Sequence, residues 1–173
     1  TPVSEHWEAS IRELAARAAE AALSDAGVER VDALYVANMV AGQLSDQEHL
    51  GALLADAAGL RGVEAVRIEA ADASGGAALR QAYLSVASGA VDVAMVLGAE
   101  KFTDTMGSKR INAMGSGLDA EFELEQGGTP AAMAALLMQR YLYEHGAQVA
   151  DCAGFSVNAH TNGAKNPNAM YRN

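Results

Sequence analysis

The chain has 173 residues, of which 50% are hydrophobic. It is rich in alanine and glycine, and only 5% of its residues are aromatic. Its net charge of −10 argues against non-specific binding to nucleic acid or to an anionic membrane surface. With Cys152 as its only cysteine, the sequence holds no disulfide framework and no paired-cysteine metal motif. Its apolar runs are far shorter than a membrane span, and no signal-peptide pattern opens it, so we expect a cytoplasmic protein.

The first part of the chain predicts a helix followed by a buried strand. Ser4 is a suitable N-cap, apolar residues recur at helical spacing after it, and Gly27 is a typical C-terminal stop. Residues 31–36, VDALYV, then form a short apolar run that favours a buried strand.

A second helix is predicted over residues 45–58. Ser45 with Glu48 three residues later has the pattern of a capping box, and Gly59 ends the apolar face. The next apolar segments, residues 63–68 and 91–97, predict two more strands with a helix between them. Alternating helices and strands imply parallel strands with helical crossovers, and therefore an α/β layered domain.

The last part of the chain is less regular. Residues 100–128 show no period, which predicts a long loop. Thr129 as N-cap and Pro130 in the first turn begin a helix that we expect to end at Gly146. A last helix is predicted from Asp151 to about residue 160.

The stretch VRIEAADASGGAALR, residues 66–80, leads from a strand through a tight turn into a small-residue helix over residues 75–88. Free N–H groups at the start of a helix favour an anion or a developing negative charge. Asp72 stands at this place. Taken alone, it is better explained as an N-cap carboxylate worth about 1 kcal/mol.

The segment EAADASGGAAL, followed by Ser88-Gly89, Asp92-Val93 and GAEK at residues 98–101, resembles the nucleophile region of the thiolase family. The likeness is greatest to the archaeal and sterol-carrier-protein types. In that family a cysteine carries the acyl group, and here Asp72 takes its position. The resemblance covers almost the whole chain, in the order of the N-terminal half of a thiolase.

This resemblance implies a thiolase-like layered α/β fold, with a parallel-rich sheet, helices on both faces and a small helical insertion. It implies that residues 1–100 form the N-terminal core, without the family's first strand, and that residues 101–173 form a loop-domain segment contacting coenzyme A. A thiolase also has a second half with a catalytic histidine, a second cysteine and an Asn- or His-containing motif. Because the sequence lacks that half, we expect this chain alone to be inactive.

The resemblance also implies a set of site residues. Asp72 would be the catalytic position, and the backbone N–H groups of Ser74, Gly75 and Gly76 would face an oxyanion, although these small residues also suit close helix–strand packing. Five residues are candidates for contact with substrate: Met106, Lys109, Arg110, Met114 and His160. Each has a plainer explanation: loop methionines, a solvated basic pair and a structural histidine.

The remaining side chains predict no further site. Cys152 is expected to lie in the core, because free cysteine behaves as a small hydrophobe. His6, His49 and His145 show no metal-ligand spacing with one another. No covalently bound cofactor is expected, and the resemblance makes a coenzyme A thioester the substrate.

Three functions remain open. The first is thiolase-type acyl transfer that makes or breaks a carbon–carbon bond; the second is a thiolase-like retro-aldol lyase that needs no acylated cysteine. The third is a non-catalytic thiolase-like subunit paired with an active partner. The resemblance implies a homodimer or higher oligomer joined through the strand at residues 91–97, and by analogy an OB-fold partner protein.

Overall fold

The computed structural model describes residues 1–172, which form two compact units. The larger unit is His6–Ala113. The smaller consists of Thr1–Glu5 and the segment from Met114 onward.

The larger unit is built on a three-stranded parallel sheet in the order β2-β1-β3, which confirms the predicted α/β fold. Tyr35 at the centre of β1 lies opposite Val66 of β2 and Val96 of β3. The elements, in chain order, are α1 (Ile11–Ala26), β1 (Ala33–Ala37), α2 (Ala41–Leu44), α3 (Leu50–Ala57), β2 (Glu64–Ile68), α4 (Ser74–Ala87), β3 (Ala94–Gly98) and α5 (Ser108–Gly115), the last crossing the boundary between the units.

Strand β1 is the centre of the core, and all five of its residues are buried because helices cover both faces of the sheet. Leu34 and Val36 point toward α1 and α3, where they meet residues such as Leu50. Tyr35 and its neighbours on the other face pack against Ala78 and Ala82 of α4. The two-residue period of the strand therefore divides one short apolar run between two packing layers.

Helix α3 approaches strand β2 closely enough to require a glycine. A Cβ atom added to Gly51 would lie 2.8 Å from the backbone of Val66. No side chain fits at that distance, so Gly51 sets the spacing between this helix and the sheet.

The predicted start of the first helix was wrong. Helix α1 begins at Ile11, and its N-cap is Ser10 rather than Ser4. The Ser10 hydroxyl accepts the N–H of Glu13, and the Glu13 carboxylate accepts the N–H of Ser10 at 2.7 Å. These two reciprocal hydrogen bonds satisfy N–H donors that would otherwise be free at the start of the helix. The predicted end of the helix at Gly27 is confirmed.

The capping box predicted at Ser45 was also wrong. Ser45 follows the end of α2, and α3 begins after His49, which is in the left-handed region at φ +53° and makes no side-chain capping bond. The Glu48 carboxylate pairs instead with Arg67 of β2 at 3.0 Å. The Glu48 side chain, which the local pattern predicts as part of a helix cap, therefore forms an ion pair with a neighbouring strand instead.

The predicted loop at residues 100–128 contains two short helical segments. These are α5 and a π-helical turn at Ala120–Leu124, whose first N–H groups are bound by the Asp119 carboxylate. Helix α5, SKRINAMG, has few apolar residues to form a pattern, and a π-turn does not follow the 3.6-residue period.

The smaller unit continues with helices that the sequence predicts well. Helix α6 is Pro130–His145, with Thr129 as its N-cap, and a 3₁₀ turn at Val149–Cys152 leads into α7, Ala153–Gly163. Between residues 116 and 172 no residue is buried, and large apolar side chains such as Phe155 are exposed. Cys152 is only half-buried, so its predicted core position was wrong.

Within residues 1–172, no helix combines the length and the apolar character needed to cross a bilayer.

Candidate functional site

The carboxyl ends of the three parallel strands meet at one edge of the sheet in the larger unit. Asn38 follows β1, the turn containing Asp72 follows β2, and Glu100 follows β3. The N–H of Asn38 donates to the carbonyl of Ile68 at 3.3 Å, which joins the segment after β1 to the last residue of β2. Open α/β sheets bind ligands at this edge, so the turn lies where the fold class predicts a site.

The turn between β2 and α4 has an unusual backbone at Ala71, which adopts the left-handed region with φ +48°. Side chains on both sides hold it there. The Glu69 carboxylate accepts the N–H of Ala71 at 2.5 Å, and the Ser74 hydroxyl donates to the Ala71 carbonyl at 2.6 Å. Asp72 is therefore presented by a turn whose conformation is fixed locally.

The first N–H groups of α4 differ in their availability. The N–H of Ser74 donates to the carbonyl of Ala71 at 3.1 Å. The N–H groups of Gly75 and Gly76 donate no hydrogen bond to any acceptor in residues 1–172, and a Cβ atom at either glycine would meet open space. Of the three predicted oxyanion donors, the two glycines retain free N–H groups, and no close packing within residues 1–172 explains them.

Asp72 is exposed, and no residue in the described part of the chain forms a hydrogen bond with its carboxylate. The N-cap of α4 is Ala73, without any side-chain capping bond. The alternative explanation of Asp72 as a helix cap was therefore wrong.

Asn38 and Glu100 form a hydrogen-bonded pair at the same edge, and sequence reasoning missed it. The Asn38 side chain, only 3% exposed, donates to Glu100 Oε1 at 2.9 Å. Glu100 Oε2 accepts the N–H groups of Met39 and Val40 at 3.0 and 3.1 Å. The available signal was an amide directly after one apolar strand and a carboxylate two residues after another, because such positions meet at one edge of a parallel sheet.

The basic pair Lys109 and Arg110 is engaged within the larger unit. The Lys109 ammonium lies 3.7 Å from the carboxylate of Asp46. The Arg110 guanidinium lies over the ring of Phe102, 5.5 Å from its centroid, which is a cation–π contact. These contacts use only part of the donor capacity of an ammonium or a guanidinium.

The other substrate candidates are divided between the two units. Met106 lies in the larger unit and is 79% exposed. Met114 and His160 belong to the smaller unit, where His160 lines an open cavity of about 460 Å³ with Asn166 and Tyr171. Among residues 1–172, no group of three or more His, Cys, Asp or Glu side chains could hold a metal ion.

Comparison with known proteins decides the family. The profile of the family described as "Thiolase, N-terminal domain" matches residues 1–173. The chain belongs to the thiolase family. It is 42% identical over 173 residues to the acetyl-CoA acetyltransferase of Methanocaldococcus jannaschii and 41% identical to that of Methanothermobacter thermautotrophicus. Each match covers 99% of this chain but only 44% and 45% of the relatives, so the chain spans less than half of their length.

Two further matches extend the thiolase likeness. The benzoylsuccinyl-CoA thiolase subunit BbsB of Thauera aromatica is 31% identical over 161 residues, covering 90% of this chain and 39% of that protein. Among solved structures, 3-oxoacyl-(acyl carrier protein) synthase III, FabH, of Pseudomonas aeruginosa PAO1 matches with a TM-score of 0.50 and 31% identity. That match covers 58% of this chain and 31% of the synthase chain, and supports a thiolase-like fold.

Proposed function

We propose that this protein serves thiolase-type acyl transfer on coenzyme A thioesters, with the turn before α4 as the reacting site. The observation that carries the proposal is the match to acetyl-CoA acetyltransferases along 99% of the chain. The exposed turn at the carboxyl edge of the sheet supports it. The relatives found bear acyltransferase and thiolase names, which favours acyl transfer over the retro-aldol alternative.

In this proposal the N–H groups of Gly75 and Gly76 bind the thioester carbonyl oxygen. They are free at the start of a helix, and negative charge that develops on that oxygen is stabilised there. Asp72 occupies the position of the family's acyl-carrying cysteine. A carboxylate attacking a thioester gives an anhydride rather than a stable thioester, so we infer that the chain with Asp72 does not store an acyl group.

The coenzyme A contacts stay predictions. Lys109 and Arg110, which contact Asp46 and Phe102, are proposed to bind a phosphate of coenzyme A. Met106, Met114 and His160 are proposed to contact the acyl or pantetheine portions. Residues 101–173 as the segment contacting coenzyme A, and the cytoplasmic location, are likewise predictions from sequence.

We keep as a second proposal the role of a non-catalytic subunit in a hetero-oligomer. A relative that matches 90% of this chain is itself named a thiolase subunit. Asp72 fits that role, because a subunit that leaves acyl transfer to its partner needs no thiol. An OB-fold protein as a further partner rests on analogy alone.

The test is covalent acyl transfer from acetyl-coenzyme A, followed by intact-protein mass spectrometry. Three chains are compared, all carrying Cys152→Ala so that no other thiol reacts: the parent, Asp72→Cys and Asp56→Cys. Asp56 is a matched control, because it is also exposed but lies near the C-terminal end of a helix, where the dipole has the opposite sign.

We expect one acetyl group on Asp72→Cys and none on the parent or on Asp56→Cys. Equal acetylation of the two cysteine variants would contradict the proposal that the turn is the reacting site. The subunit role would then be the remaining proposal. We also expect the native chain to cleave acetoacetyl-coenzyme A no faster than the background reaction. Thiolysis above that level would contradict the proposed inactivity of this chain.

A further inference from the structure

The Ser74 side chain has a role that neither a helix cap nor an oxyanion donor explains. It is 6% exposed, and its hydroxyl makes two bonds to the turn that precedes α4. It accepts the N–H of Ala70 at 2.9 Å and donates to the carbonyl of Ala71 at 2.6 Å. The hydroxyl therefore joins the two peptide groups that lead into Asp72.

These bonds hold a backbone conformation that an alanine rarely adopts. Ala71 has φ +48°, and residues with a Cβ atom are strained in that region. Its N–H is bound by Glu69 and its carbonyl by both the hydroxyl and the N–H of Ser74. Without these partners, the strained turn would relax toward negative φ.

The direction of the Ser74 bonds separates this role from helix capping. A capping hydroxyl accepts an N–H from the second or third residue that follows it in the helix. The Ser74 hydroxyl faces backward instead, and the N–H groups of Gly75 and Gly76 stay free. Its hydrogen bonds therefore fix the backbone that precedes residue 72 and do not satisfy the free N–H groups at the start of the helix.

We propose that Ser74 is a positioning residue, which sets the reactivity of residue 72 by holding it before the free N–H groups of Gly75 and Gly76. The inference rests on the proposed function, because it takes this turn as the reacting site. The Ser74 hydroxyl holds the turn through its two hydrogen bonds, and the N–H groups of Gly75 and Gly76 remain the proposed oxyanion donors.

The experiment measures an introduced thiol directly and needs no coenzyme A. All chains carry Cys152→Ala and Asp72→Cys, and the rate of alkylation by iodoacetamide is followed over a pH series. Ser74→Ala removes both bonds, and Ser74→Thr keeps the hydroxyl. The matched control is Ser88→Ala, at the other end of α4, where the Ser88 hydroxyl donates to the carbonyl of Ser85 at 3.1 Å.

With Ser74 present, we expect the thiol pKa to lie below the free value of about 8.5, as at other helix N-termini. Ser74→Ala should raise this pKa toward the free value. At a pH below both values, a rise of about one unit slows alkylation about tenfold, since the thiolate fraction falls in that proportion. Ser88→Ala and Ser74→Thr should leave the thiol pKa unchanged.

The proposal is overturned if Ser74→Ala lowers the melting temperature but leaves the thiol pKa where it was. That result would make Ser74 a purely structural residue. If Ser74→Ala does not fold, as circular dichroism would show, Ser74→Thr decides: a thiol pKa that rises in this folded, hydroxyl-bearing chain also overturns the proposal.

The outcome is separable from that of the proposed function. A thiol whose pKa depends on Ser74, but which takes no acetyl group from acetyl-coenzyme A, upholds the positioning role and contradicts acyl transfer. An acetylated thiol whose pKa is the same with and without the Ser74 hydroxyl upholds acyl transfer and contradicts the positioning role.

Discussion

The hydroxyl oxygens of Tyr35 and Ser85 lie 2.8 Å apart in the buried layer between β1 and α4. Tyr35 is 2% exposed, and Ser85 also donates to the carbonyl of Gln81 at 3.0 Å. The pair joins the central strand to the helix that carries the candidate site. It therefore bears on how firmly that helix is fixed to the sheet.

Tyr35→Phe should lower the free energy of unfolding by about 0.5–1.5 kcal/mol, the usual net effect of losing one buried hydrogen bond. Urea denaturation measures it. Tyr83→Phe is the matched control, because Tyr83 lies on the outer side of the same helix at 70% exposure, and its hydroxyl is in solvent. Equal unfolding midpoints for the two variants would mean that the Tyr35–Ser85 bond adds nothing to stability.

Gly51→Ala should destabilise the larger unit by about 1–3 kcal/mol, the range for overpacking a close contact. The added methyl group would meet the backbone of Val66 at 2.8 Å, and a strand backbone cannot move aside as a flexible side chain can. Gly76→Ala, where the methyl group meets open space, should be neutral or stabilising by up to about 1 kcal/mol. A stabilising effect of Gly51→Ala in thermal unfolding would show that α3 is not so close to β2.

The sequence predicted the start or end of a helix correctly where the local pattern and the tertiary structure agree. Thr129 with Pro130 set the start of α6 as predicted, because an N-cap and a first-turn proline act on adjacent residues. Glu48 shows the opposite case, since its partner Arg67 is contributed by another strand. Local spacing cannot reveal such a partner.

The candidate site divides in the same way. Its place after β2 and the prediction of Asp72 as the catalytic position came from a strand–turn–helix pattern and the family resemblance. The bonds of Ser74 depend on the positive φ of Ala71, and an alanine gives no warning of that conformation. The Asn38–Glu100 pair depends on the strand order β2-β1-β3, which no short segment of the sequence contains.

Acid should weaken the fold partly through Asp32. Hydrogen bonds from the N–H groups of Val93 and Asp92, at 2.9 and 3.0 Å, lower the pKa of Asp32 below its ordinary value. A carboxylate with a lower pKa in the folded state stabilises that state fully above its unfolded pKa. Its contribution is lost as the pH falls through the folded pKa, so the relevant window lies below about pH 4.

Asp32→Asn should therefore reduce the dependence of the unfolding midpoint on pH in this acidic range, since an amide does not titrate there. Denaturant titrations at several pH values would measure the slope. Asp56→Asn is the control, because no described residue donates a hydrogen bond to the Asp56 carboxylate. The assignment fails if both substitutions leave the acid slope of the parent unchanged.

Association through β3 is the next prediction. In the described chain both β2 and β3 pair only with β1, so each has one open edge. Strand β2 carries Glu64 and Arg67, whereas β3, AMVLG, has no charge, and charged side chains are the usual protection of an open edge. We propose that β3 pairs with β3 of a second copy.

Light scattering over a concentration series should show a dimer, and hydrogen exchange should slow in β3 more than in β2 as it forms. The strand β2 serves as the internal control within the same molecule. A monomer at every concentration, or protection of β2 instead, would count against pairing through β3.

The last prediction concerns stability at Asp72. Since Ala73 is the N-cap of α4 and the Asp72 carboxylate accepts no hydrogen bond from the described residues, Asp72→Ala should change the free energy of unfolding by no more than about 0.5 kcal/mol. Ser10→Ala removes a cap that the structure does show, in the capping box of α1, and should cost about 0.5–2 kcal/mol. Both are measured by urea denaturation against the same parent. If Asp72→Ala costs as much as Ser10→Ala, its carboxylate caps α4 in solution, and this turn has a structural reason for an aspartate. If only Ser10→Ala is destabilising, stability does not account for Asp72, which is what a residue kept for the chemistry of the turn would show.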